Sequence, residues 1–101
     1  MKTEQLNPGV SLRTPDASCK LLCRAVSSIP GVTITRRNRS MWILSVRSAE
    51  FTFRGLHFTI EPDEWDGAYW ILSKDGQSHE PEMHQIQSTL EAFVGSTAPA
   101  A

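Results

Sequence analysis

Ten residues, FTFRGLHFTI (51–60), constrain the fold more than any other part of the chain. Phe51 and Phe53 are odd-numbered, while Leu56, Phe58 and Ile60 are even. Side chains on a strand alternate between faces, so one uninterrupted strand would split this apolar set in two. A two-residue turn at Arg54-Gly55 resolves the conflict. It sets residue 53 against 56 and 51 against 58, and all five side chains then share one face. The segment predicts an antiparallel hairpin with one apolar face.

The same reasoning extends along the chain. VTITRR, MWILSV, EFTF, LHFTIE and AYWILS are rich in β-branched and aromatic residues and are separated by turn signals. A tight turn at Ser48-Ala49 pairs Val46 with Phe51 and Leu44 with Phe53. An odd-length loop centred on Asn38 sets Ile34 against Trp42 and Val32 against Leu44. One face then collects Val32, Ile34, Trp42, Leu44, Val46, Phe51, Phe53, Leu56, Phe58 and Ile60 as the expected core. The opposite face carries Arg37, Met41, Ile43, Arg47, Arg54 and His57 among threonines. The fifth strand adds to it either Tyr69 and Ile71 or Trp70 and Leu72.

Helical patterns flank the strands. Thr14 is the expected cap and Pro15 the first residue of a helix that Ile29-Pro30-Gly31 stops. Ser78 or Glu80 caps the last helix, with Pro81 in its first turn. Met83, Ile86, Leu90, Phe93 and Val94 recur at helical spacing, and Gly95 ends the pattern. The expected class is α+β: helix, five-stranded antiparallel meander, helix, as a two-layer sandwich with both helices on one sheet face. Residues 1–13 read as a flexible arm, 14–95 as a single domain and 96–101 as a disordered tail. A chain of 101 residues supports one core.

With 40% hydrophobic and 21% charged residues the chain has ordinary globular usage. Its net charge of −1 provides no global field toward nucleic acid or membrane. The charge is nevertheless segregated. Eight of the ten Lys/Arg lie between Arg13 and Arg54, and most Asp/Glu lie between Glu50 and Glu91. The sequence has neither a signal-like apolar run nor the roughly 20 apolar residues of a membrane span. A cytoplasmic protein without membrane contact is the expectation.

Few motifs suggest chemistry. His79-Glu80-Pro81-Glu82-Met83-His84 departs from the His-Glu-x-x-His zinc pattern, because its histidines are five apart and a proline intervenes. Cys19 and Cys23 lack a second cysteine pair and read as small apolar residues under the sheet. His57 is the one candidate general base, with no assured carboxylate partner. No cofactor fingerprint, phosphate loop or metal set is present, so no cofactor is expected. Glu61, Asp63, Glu64 and Asp66 form an acidic loop around Trp65. Arg36, Arg37, Arg39, Arg47 and Arg54 form a basic set without the stacking aromatics that an RNA-reading sheet requires.

The preferred expectation is a small non-enzymatic interaction module. It self-associates as a homodimer, or binds a protein or peptide, through the open sheet face or the last strand. Its expected binding residues are Arg37, Met41, Ile43, Arg47, Arg54, His57, Tyr69 and Trp65. One alternative is a nucleic-acid-associated protein using the basic hairpin. The other is a small enzyme or ligand binder with His57 beside a sheet-face pocket. Fold alone does not choose between them.

Overall fold

The computed structural model describes residues 1–39, 46–63, 65 and 67–93. Its elements are β1 (Glu4–Asn7), β2 (Ser11–Thr14), α1 (Cys19–Ser27), β3 (Thr33–Arg39), β4 (Val46–Phe53), β5 (Leu56–Pro62), β6 (Tyr69–Ser73) and α2 (Glu80–Ala92). The strands form one antiparallel sheet in the order β1-β2-β6-β5-β4-β3. The fold is α+β, with six strands in place of five.

The hairpin from β4 to β5 has the expected register, with Phe53 opposite Leu56 and Phe51 opposite Phe58. Arg54 and Gly55 both adopt positive φ, 53° and 77°, as a two-residue turn of the primed type requires. Phe51 and Phe58 stack with ring centroids 5.3 Å apart. Together with Phe53 and Ile60 they are completely or almost completely buried, and Ile34, Val32 and Leu56 pack against them at the margin.

The expected turn at Ser48-Ala49 is absent. Both residues lie inside β4, where Ala49 pairs with Arg37 on one side and Ile60 on the other. Alanine suits this position because it is buried under α1, where a larger side chain would compete for space. EFTF therefore pairs with the TITRRNR strand, and Ile34 faces Phe51 where Trp42 was expected. Asn38, expected in a loop, is within β3 and faces Ser48. Trp42, Leu44 and the rest of 40–45 lie outside the described residues.

The N-terminal segment corrects the expectation of a loose arm. Residues 4–7 and 11–14 form β1 and β2, and β2 pairs with β6. The last strand is consequently interior, and its apolar character on both faces no longer creates an exposed edge. Leu12 enters the core beside Ile71 and is fully buried. Thr14, expected to cap a helix, is a buried strand residue whose hydroxyl donates to the Tyr69 carbonyl at 3.1 Å. The first helix starts later, where the Ser18 hydroxyl accepts from the Leu21 N–H at 3.1 Å.

The second helix has Pro81 in its first turn and Glu80 and Glu82 at its positive end. Ser78, one of its expected caps, instead donates to the Pro8 carbonyl at 2.9 Å. The His79 N–H donates to the Gly9 carbonyl, so the β1–β2 turn is fastened to the start of α2. Met83, Ile86 and Leu90 are fully buried and join one cluster with Leu22, Val26 and Phe58. Phe93 ends the helix and packs against the cluster's margin, while Val94 and Gly95 lie outside the described residues.

Candidate functional site

A bulge in β3 decides where the arginines point. Ile34 pairs with Phe51, but Arg36 pairs with Glu50, so β3 has one residue more than β4 across this step. An extra residue reverses the facing of everything beyond it. Thr35 sits in the bulge, and its hydroxyl donates to the Glu50 carbonyl at 3.2 Å. Arg37 consequently stands opposite Ala49, on the helix side. The expectation that it lies on the open face is overturned. Its positive charge acts on the Cys23 thiol.

A compact group forms at that corner. Cys19 and Cys23 are free, buried and one helical turn apart. The Cys19 thiol is pushed up by its neighbour Cys23, and burial adds to this effect. The Cys23 thiol is drawn down to about 7 by Cys19 first and then by Arg37. Tyr69 is half-buried and packs against the margin of the core. Burial raises the Tyr69 phenol, and the Arg47 charge opposes that rise. Arg47 occupies the second irregularity, where β4 has the extra residue.

The other expected binding residues lie elsewhere. Arg54 projects from its turn over the Phe53 ring, 4.9 Å from the centroid, and donates to Gln85 at 2.9 Å. It also pairs with Glu82 at 3.4 Å, which links the hairpin to α2. Trp65 is 93% exposed in the acidic loop. Its N–H donates to Asp63, which also accepts from the Trp70 ring at 3.1 Å and holds its carboxyl below the usual range for these reasons. Met41 and Ile43 lie outside the described residues.

His57 is exposed on the open face, opposite Thr52. Glu50, which is close enough to feel its charge, is committed to Lys74 at 2.6 Å. Trp70 and Leu72 are the β6 residues on this face, and both are half-buried. Around Trp70 and Leu72 the described part of the face is polar and internally paired: Glu50 with Lys74, Thr59 with Glu61, and Arg13 with Glu4. It is less apolar than an interface centre would require.

The residues of HEPEMH also go to separate partners. His79 pairs with Asp75 at 2.8 Å, and Glu82 with Arg54. Asp75 additionally accepts from the Ser73 hydroxyl and the Gln77 N–H, and these bonds hold its carboxyl far below the usual range.

Among the described residues the sheet ends in β3, which has a strand neighbour on one side only. Arg36 stands opposite Glu50 on the open-face side and Arg37 opposite Ala49 on the helix side, so the two arginines flank the outer edge from opposite faces. Arg36 Nε donates to Asn38 at 3.0 Å, and Asn38 donates to Ser48 at 2.9 Å. Comparison with family models, curated proteins and solved structures finds no match to this chain.

Proposed function

We propose that this protein is a small non-enzymatic interaction module that captures an acidic, extended protein segment along β3. The observation that carries the reading is the outer position of a seven-residue strand bearing Arg36, Arg37 and Arg39. Strand addition takes affinity from main-chain hydrogen bonds and specificity from alternating side chains. Arginines on both sides of the edge favour carboxylates on both faces of an incoming strand. The last strand, the other surface considered, is enclosed between β2 and β5 and offers no edge.

Fluorescence anisotropy with a labelled peptide of alternating Glu and Val tests the proposal. Binding should weaken with salt and fall at least about tenfold in Arg36→Glu/Arg37→Glu, as expected when two charge pairs become repulsive. A backbone N-methylated copy of the peptide keeps its charge and should not bind. Equal binding of the methylated peptide would rule out strand addition. Stronger binding of a single-stranded oligonucleotide would favour the basic hairpin as a nucleic-acid contact instead.

Self-association is supported by a separate observation at the other edge. Leu6 of β1 is 61% exposed. A two-fold antiparallel pairing of β1 with a second copy sets Glu4 against Asn7 and Gln5 against Leu6, with no like charges opposed. Such a homodimer should dissociate in Leu6→Glu. A monomer at high micromolar concentration in the ultracentrifuge would exclude it.

A further inference from the structure

The bulge at Thr35 fixes the order of side chains along the β3 edge. Ile34 stands opposite Phe51 and Arg37 opposite Ala49, and both of these β4 residues are buried on the helix side. Arg36 stands opposite Glu50 on the open-face side, and Thr35 beside it is the extra residue. Across this step β4 uses three consecutive residues, Ala49-Glu50-Phe51, where β3 uses four, Ile34 to Arg37. Side chains paired across a ladder share a face. A regular strand added on the outer side follows the same rule and sets one open-face residue between two helix-side residues. Among the described residues that side of β3 has no strand neighbour. Arg36 and Arg37 are exposed there, and Ile34 is half-buried at the margin of the core.

We propose that the β3 edge selects the order acid-acid-apolar, as in Glu-Glu-Val, read from N- to C-terminus along an antiparallel incoming strand. This specificity rests on the capture of an acidic strand at β3 proposed above. The first carboxylate lies across from Arg37, the second across from Arg36, and the β-branched residue across from Ile34. The direction follows the rest of the sheet, whose described ladders are all antiparallel, the slightly more stable pairing. Arg37 is the stronger selector of the two arginines. On β4 it meets Ala49, which brings no charge, whereas Arg36 already faces Glu50. Glu50 is in turn engaged by Lys74 at 2.6 Å. The apolar position extends the row of Phe51 and Ile34 by a third side chain and covers the exposed part of Ile34. A parallel strand would need the reverse order, apolar-acid-acid, so the preferred order also reports the direction.

The test is fluorescence anisotropy of the full-length chain at low salt, where charge pairs are least screened. It uses labelled peptides of one composition: Thr-Thr-Glu-Glu-Val-Thr-Thr, Thr-Thr-Glu-Val-Glu-Thr-Thr and Thr-Thr-Val-Glu-Glu-Thr-Thr. By sliding along the edge, the second and third peptides each keep all but one of the cross-strand contacts of the first. The first should therefore bind about threefold more tightly than either. Arg37→Gln should erase its advantage over the second peptide, and Ile34→Thr its advantage over the third. If either variant is unfolded by circular dichroism, the ranking of the peptides on the wild-type protein decides. Equal affinities would overturn the proposed order and leave strand capture standing. A preference for Val-Glu-Glu would overturn it in favour of a parallel strand. If none of the peptides binds, strand capture itself fails and the order with it.

Discussion

At Gly9 the chain turns with φ +76° against the start of α2. A Cβ there would collide with the Ser78 hydroxyl and lie 2.7 Å from the backbone nitrogens of His79 and Glu80. Gly9→Ala should therefore destabilise by about 2–5 kcal/mol in urea melts, combining left-handed strain with overpacking. Gly55 has a similar φ, 77°, but nothing within 4 Å of a Cβ. Gly55→Asn should cost less than about 1 kcal/mol, since asparagine tolerates that conformation. A carboxylate sets the acid response. The folded-state pKa of Asp75 is depressed, so its contribution is complete above the unfolded value of about 4 and is lost as pH falls below it. Ser73→Ala removes the largest cause of that shift. It should lower stability at neutral pH and make the loss on acidification below pH 4 smaller, as read by circular dichroism across a pH series.

Among the elements, β2 makes the sharpest prediction. Its Leu12 is fully buried beside Ile71, so Leu12→Ala should cost about 2–5 kcal/mol, and deletion of residues 1–14 should leave β6 as an open edge and the protein prone to aggregate. A dispensable arm would show neither effect. The hairpin of β4 and β5 was legible in the sequence because a primed two-residue turn at Arg54-Gly55 was the one arrangement that gathered five apolar residues. The strands EQLN and SLRT were not, since four polar-rich residues have too little periodicity to stand out from a loop. The turn expected at Ser48-Ala49 failed because a small residue in a sequence also marks the place where a helix packs closely on a strand. The site was less legible than the fold. Arg37 changed faces through one extra residue at Thr35, and parity counting assumes an unbroken ladder. The cysteines had the right helical spacing to be noticed as a pair, but nothing in the sequence tied Arg37 to them.

For the molecule as a whole, the two sheet edges differ in character. One is the short β1 with an exposed leucine, and the other is β3 with its straddling arginines. Both have register irregularities, which limit uncontrolled pairing with other strands. The open face between them is occupied by its own ion pairs, so recognition is assigned to an edge. This assignment predicts that neutralising Arg36 (Arg36→Gln) acts on partner binding and leaves the melting temperature nearly unchanged, because the residue is exposed and its contact with Asn38 is local. The most direct measurement is amide hydrogen exchange by NMR, with and without a saturating acidic strand peptide. Strand addition predicts new protection at alternate amides between Thr33 and Arg39, with little change in β1 or on the open face. Binding that leaves those amides unprotected, or protects a different surface, would contradict it.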